Sequence, residues 1–111
     1  MESYSWKELN EAAMQIILNA GDARKLIVEA IDLICADAKP KAINDVLAQA
    51  KELIIKAHII QTKHIQNGIE DENQKNCLLF SHAQDTLMTV QSEHLMVKNM
   101  IKLYNHLKET K

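Results

Sequence analysis

Two side chains suited to chemistry stand close together in the last third of the chain, His82 and Asp85. A neutral imidazole is a good nucleophile near pH 7, because its ordinary pKa is about 6.5. Three residues apart on a helix, the two side chains occupy neighbouring faces within one turn. From spacing alone two interpretations of each stay open. His82 is a nucleophile or a solvated structural histidine, and Asp85 points into a solvated groove or lies in an apolar seam, paired, protonated or bound to a metal.

The remaining candidates for chemistry are weaker. The other four histidines have neither a shared face nor an accompanying carboxylate that would complete a ligand set: His58, His64, His94 and His106. No pair of histidines has the zinc-hydrolase spacing, and neither Ser81 nor Ser92 has a base fixed beside it by sequence. Metal-dependent hydrolysis and a serine nucleophile are therefore unsupported.

Composition restricts the fold and the partners. The chain has 111 residues, which predicts a single domain over 1–111, and only 2 Gly, 1 Pro and 4% aromatic residues. So few turn-forming and aromatic residues exclude an all-β fold and a glycine-rich phosphate loop. A net charge of −2 argues against nucleic acid as a partner.

Several features together predict a cytoplasmic protein. No run approaches the roughly 18 apolar residues of a membrane span, and the first ten residues lack the apolar region of a signal peptide. Cys35 and Cys77 stand far apart and outside any CxxC motif. We expect two reduced thiols, buried or inert.

Apolar periodicity predicts three long helices, over about 5–38, 40–66 and 75–108. Breaks fall at Pro40 and at Asn67-Gly68, followed by a polar, acidic loop. Long helices with short connections predict an all-α, antiparallel up-down three-helix bundle. The expected inward stripes are Trp6, Leu9, Ala13, Ile16, Ile17, Ala20, Ile27, Ile31 and Ile34 in the first helix, and Ile43, Leu47, Ala50, Ile54, Ala57 and Gln61 in the second.

The third helix carries two apolar stripes instead of one. At 100° per residue, one stripe faces the other two helices: Leu79, Ala83, Val90, Val97 and Ile101. A second arc contains Leu78, Met96, Leu103 and Leu107, flanked by Met88 and Leu95. Asp85 falls in the middle of this arc and His82 at its margin. Soluble monomers avoid large exposed apolar patches, so the second arc predicts self-association through this helix.

Three segments, one in each predicted helix, carry a resemblance to a known family. They are residues 82–89 (HAQDTLMT), residues 20–24 (AGDAR), and Ala57-His58 followed by Gln61-Thr62. In order and spacing the chain resembles the lactose/cellobiose-type IIA components of the sugar phosphotransferase system. The resemblance implies a homotrimer, a nine-helix bundle, in which the phosphocarrier HPr phosphorylates His82. The phosphoryl group then passes to a cysteine of a cognate IIB component.

The same resemblance implies further roles. Uptake would concern a β-linked disaccharide of the lactose, cellobiose or chitobiose class, with membrane contact only indirectly, through the sugar permease. Three copies of Asp85 on the trimer axis would bind a divalent metal, expected to be Mg²⁺. The family usually has a histidine where this chain has Thr86, which puts the hydrogen bonds around the site in question.

Four further residues have either a structural or a functional role in this interpretation. Gln84 could donate to a phosphoryl oxygen, although its predicted direction is away from His82. Arg24 is a phosphate contact or, as we favour, the partner of a buried carboxylate. We expect His58 to be a hydrogen-bonded core or interface histidine, and Gly21 to serve close helix packing.

One rival function is compatible with the same sequence features. The chain could be a helical regulatory or interaction module in which histidine phosphorylation, if any, signals to a partner without sugar transport.

Overall fold

The computed structural model describes residues 6–68 and 78–109 and gives three α-helices: α1 (Trp6–Cys35), α2 (Pro40–Gly68) and α3 (Leu78–Glu109). The described residues contain no strand, so the predicted all-α three-helix fold is confirmed. The predicted acidic loop, the first residues of the third helix, and Cys77 lie outside the described residues. Each helix is about 44–48 Å long at 1.5 Å per residue.

The end of α1 differs from its predicted position near residue 38. Asp37 adopts a positive φ of 58°, and the Ala38 N–H donates to the Leu33 carbonyl at 2.9 Å. The Asp37 N–H donates to the Ile34 carbonyl at 3.1 Å, which completes a Schellman motif. The helix therefore ends at Cys35. Periodicity missed this stop because aspartate, rather than the usual glycine, takes the left-handed position.

The core lies along the predicted inward stripes. All six positions predicted for α2 are buried, from Ile43 to Gln61. In α3 the predicted stripe is confirmed by Ala83, Val90 and Val97, with Leu79 and Ile101 partly buried at its ends. Fully buried alanines recur in all three helices, and small side chains allow close approach of the backbones: Ala13, Ala20, Ala23, Ala30, Ala50, Ala57 and Ala83.

The helices do not pack equally against one another. α1 contacts both of the others extensively, whereas α2 and α3 make few contacts with each other. Only four residues join α1 to α2, so these helices run antiparallel, and the nine residues between α2 and α3 are too few to span the length of a helix. α3 is therefore parallel to α1. α2 runs antiparallel to both, as an up-down bundle requires. Within the residues that the structure describes, no helix is both long and apolar enough to span a membrane.

The expectation for Gly21 is wrong, and that for Cys35 is met only in part. A Cβ placed on Gly21 would meet nothing within 4 Å, so close helix packing within the chain does not explain this glycine. The space around Gly21 is open because this residue lies at the margin of the packed face of α1. Its neighbour Ala20 is fully buried, whereas Arg24, one turn later, is half-buried. Cys35 is a free thiol, as predicted, but it is exposed and not buried, because the end of α1 places it at the rim of the bundle.

Candidate functional site

His82 lies exposed in the second turn of α3, where the helix backbone holds it firmly. The Thr86 hydroxyl donates to the His82 carbonyl oxygen at 2.9 Å, and the Thr89 hydroxyl donates to the Asp85 carbonyl oxygen at 2.8 Å. Threonine commonly bonds back to the carbonyl four residues earlier in a helix. The hydroxyl proton of Thr86 is thereby used in a hydrogen bond to the backbone. The imidazole of His82 is exposed to solvent.

Asp85 is also exposed, on the same side of α3 as the second apolar arc. All six apolar members of that arc are at least 54% exposed: Leu78, Met88, Leu95, Met96, Leu103 and Leu107. We call this surface the outer face of α3. The prediction that these side chains lie outside the chain's own core is confirmed, and a carboxylate stands among them.

A groove of about 790 Å³ runs between α1 and α3 beside the outer face. It begins at Asp85, one turn from His82, and continues toward the C-terminal half of α3. We call it the α1–α3 groove, and it is lined by Arg24, Ile27, Val28, Ile31, Asp85, Met88, Thr89, Ser92, Glu93, Met96, Val97 and Met100. Its walls are thus mostly apolar and rich in methionine, with an ion pair inside.

The ion pair in the groove joins Arg24 Nε to Glu93 Oε1 at 2.8 Å. Both side chains are nearly half exposed, so Arg24 does pair with a carboxylate, as the favoured interpretation had it, but the carboxylate is not buried. Glu93 follows His82 by eleven residues, about 16 Å along the axis of α3. The structure therefore does not bring Arg24 to His82 within one chain.

Gln84 does not share a face with His82 either. Two residues along a helix correspond to about 200° of rotation, which carries Gln84 to the opposite side of α3, where it is half-buried. Of the residues predicted for the site, only Asp85 lies both within one helical turn of His82 and on a neighbouring face of α3, while Arg24 lines the α1–α3 groove together with Asp85. Glu93 was missed by the sequence analysis, although it falls on the same side of α3 as His82.

The other histidines have different surroundings. His58 is exposed, and its Nδ1 lies 3.0 Å from the Gln61 side-chain oxygen, so it is hydrogen-bonded but not in the core. His94 is 6% exposed, and its Nε2–H donates to the Leu47 carbonyl at 3.1 Å, across to α2. Burial lowers the pKa of His64 below its ordinary value of 6.5. The helical angle of His94, between those of buried neighbours, was the signal that could have placed it in the core.

The side chain of His82 is an accessible imidazole at the surface of α3. Within residues 6–68 and 78–109, no group of three or more His, Cys, Asp or Glu side chains could hold a metal ion in a single chain. The hydroxyl groups of Thr86 and Thr89 donate to backbone carbonyls, so neither is hydrogen-bonded to a base that would make it a nucleophile. What remains is an accessible imidazole on a rigid helix, a group that a donor and an acceptor can approach in turn.

The three-helix fold and the family match of the sequence are those of a phosphotransfer protein. The family described as "PTS system, Lactose/Cellobiose specific IIA subunit" matches residues 11–105 of this chain. The chain belongs to this family, as the resemblance predicted, and is a IIA component of the sugar phosphotransferase system.

Individual relatives are similar over nearly the full chain. The PTS system N,N'-diacetylchitobiose-specific EIIA component of Escherichia coli (strain K12) is 34% identical, covering 92% of this chain and 87% of the relative. The lichenan-specific phosphotransferase enzyme IIA component of Bacillus subtilis (strain 168) is 35% identical, covering 93% of both chains. The lactose-specific EIIA component of Staphylococcus epidermidis is 29% identical over 87% of this chain. No solved structure matches the chain significantly.

Proposed function

We propose that the protein carries a phosphoryl group on His82, which it accepts from HPr and passes to a cysteine of a cognate IIB component. The observation that carries the proposal is the exposed His82 on a rigid turn of α3, inside the segment HAQDTLMT. The relatives' names include chitobiose, lichenan and lactose. We infer that this chain serves uptake of a β-linked disaccharide or a related β-linked sugar.

The chemistry requires two in-line displacements at phosphorus. A ring nitrogen of neutral His82 attacks the phosphorus of phosphorylated HPr; a new N–P bond forms as the N–P bond of the donor breaks. The IIB thiolate then attacks the same phosphorus, an S–P bond forms, and the electron pair of the broken N–P bond returns to His82. The protein's own contribution is mainly positioning and charge stabilisation.

The outer face of α3 supports assembly as a homotrimer. It exposes six large apolar side chains beside Asp85, more than a soluble monomer commonly leaves in one patch. Three copies arranged around the α3 helices would cover these side chains and complete a nine-helix bundle. They would also bring three Asp85 carboxylates toward one axis.

Three Asp85 carboxylates fit a hard divalent cation such as Mg²⁺, because carboxylate oxygens are its preferred protein ligands. A single Asp85 does not suffice, so the site would exist only in the assembly. Bound there, the metal would supply positive charge that offsets the repulsion of three like charges. The residues of the chain do the rest: the apolar side chains of the outer face exclude water around the carboxylates.

The partners follow from the relay. HPr and the IIB component would dock in succession at the exposed end of α3 around His82. The chain itself would remain in the cytoplasm and meet the membrane only indirectly, through the permease that the IIB component serves.

Phosphate incorporation tests the proposal. The protein is incubated with HPr, the enzyme that phosphorylates HPr, and phosphoenolpyruvate. We expect wild type to gain acid-labile phosphate and His82→Ala to gain none, whereas His58→Ala, with another exposed histidine removed, retains the wild-type amount. Equal labelling of His82→Ala and wild type would show that His82 is not the acceptor.

A further inference from the structure

A second concave site lies between α2 and α3, away from the groove described above. Its volume is about 330 Å³, at the lower end of the range for small-molecule pockets. Leu47, Ala48 and Ile101 form the apolar part of its lining, and the buried ring of His94 lies beside them. α2 and α3 make few contacts with each other, and the pocket occupies the space between them.

The polar part of the pocket is cationic. Lys51 from α2 and Lys98 from α3 line it from opposite sides, together with Asn44. No acidic side chain of the described residues lines the pocket. Neither lysine side chain forms an ion pair or hydrogen bond with any residue in 6–68 or 78–109. Two lysine side chains thus line one small pocket whose lining supplies no counter-charge.

We propose that this pocket binds a compact organic phosphate, with its phosphate between Lys51 and Lys98 and its apolar body against Leu47, Ala48 and Ile101. A phosphate monoester carries nearly two negative charges at pH 7, which matches the two unpaired lysines. Lysine binds phosphate as a mobile point charge and needs no fixed geometry beforehand. The apolar lining selects an ester that carries a hydrocarbon group over inorganic phosphate.

The site is separate from the phosphoryl relay. His94 follows His82 by twelve residues, about 18 Å along α3, so a ligand here is out of reach of His82. A ligand that bridges Lys51 and Lys98 would tie α2 to α3, the pair with the fewest contacts. Binding to the folded state alone raises stability by mass action. The proposal therefore holds or fails independently of phosphoryl transfer.

NMR titration of the whole protein tests the proposal, with phenyl phosphate as the probe and with inorganic phosphate and phenol as its two fragments. We expect saturable shifts of the His94 ring resonances at millimolar phenyl phosphate, with weaker binding of each fragment. The His106 ring, exposed near the end of α3, should not shift.

A pair of double variants gives the test its specificity. Lys51→Gln/Lys98→Gln should weaken phenyl phosphate binding about fivefold or more, as expected for the loss of two exposed charge contacts. Lys25→Gln/Lys56→Gln removes the same charge from other exposed positions and should bind like wild type. Equal weakening in both variants, no saturable shift, or phenol binding as tightly as phenyl phosphate would overturn the proposal. Circular dichroism confirms that both variants are helical.

Discussion

The inner and outer faces of α3 have similar apolar content but opposite surroundings. The inner face is packed, with Ala83, Leu87 and Val90 completely buried, whereas Leu78, Met88 and Leu103 on the outer face are 59–85% exposed. Each face also carries one polar group of consequence. On the inner face, His94 is bonded to Leu47, and on the outer face Asp85 has no such partner among the described residues. The contrast indicates that the inner face stabilises the fold while the outer face is available for association.

The largest expected effect comes from a cavity on the inner face. Leu87→Ala should lower the free energy of unfolding by about 2–5 kcal/mol, because Leu87 is fully buried and the space cannot refill completely. Urea denaturation measures the loss. Leu103→Ala on the outer face is the matched control. Its effect should depend on protein concentration, whereas an equal, concentration-independent loss would remove the distinction between the faces.

A charge placed on the outer face should act on assembly and leave the fold intact. Met96→Glu is expected to shift the sedimenting mass from about three times 12.6 kDa to 12.6 kDa while the helix content is retained. Asn105→Glu, at an exposed position on the opposite side of α3 from the outer face, adds the same charge and should remain a trimer. A wild-type protein that sediments as a monomer at micromolar concentration would contradict the trimer itself.

The carboxylate of Asp85 should make the stability of the outer-face assembly depend on divalent metal. Removing divalent metal with a chelator should lower the melting temperature of wild type, because three carboxylates then repel one another. Asp85→Asn should melt at the same temperature with and without Mg²⁺. Identical responses of wild type and Asp85→Asn to the metal, measured by calorimetry, would rule out Asp85 as the ligand.

On the inner face, the buried hydrogen bond of His94 should be worth less than the cavity at Leu87. His94→Leu leaves the Leu47 carbonyl without its donor and is expected to cost about 1–3 kcal/mol in urea denaturation. His106→Leu, at an exposed position on the same helix, should change stability by about 0.5 kcal/mol or less. If the two variants are equally stable, the His94 hydrogen bond does not help to hold α2 against α3.

The smallest effect concerns pH. Burial holds the pKa of His64 below 6.5 in the folded protein, so the unfolded chain binds a proton more readily there. The contribution of His64 is fully present above pH 6.5 and is lost as the pH falls toward the lowered value. The difference in unfolding free energy between wild type and His64→Gln, measured from pH 8 to pH 5, should shrink on acidification. A difference that grows would reverse the sign of the shift.

Much of the fold was predictable because hydrophobic periodicity is regular in long helices. All six inward positions of α2 were found from spacing alone. In α3 spacing found Ala83, Val90 and Val97 but missed the buried Phe80, Leu87 and His94. The end of α1 was not predicted. The left-handed conformation at Asp37 depends on backbone hydrogen bonds, and the presence of an aspartate does not indicate them. The same limit applies to Gly21, whose surroundings are open although its residue type suggested close packing.

Of the candidate site, only the proximity of His82 and Asp85 was predictable from the sequence. The His82–Asp85 spacing fixes their relation on one helix, so their proximity follows from sequence. The Arg24–Glu93 pair joins residues 69 positions apart, and its axial distance from His82 depends on how α1 and α3 align. The bonding of Thr86 to the His82 carbonyl likewise depends on a side-chain rotamer and not on residue type alone.

A single-turnover chase follows the phosphoryl group that we propose His82 to carry. Protein phosphorylated by HPr is isolated, mapped by peptide analysis, and mixed with candidate IIB components of the lactose/cellobiose class. We expect the label to reside on His82 and to move to a IIB cysteine, with little inorganic phosphate released. Label on another residue, or label on His82 that hydrolyses without reaching the thiol, would contradict the proposal.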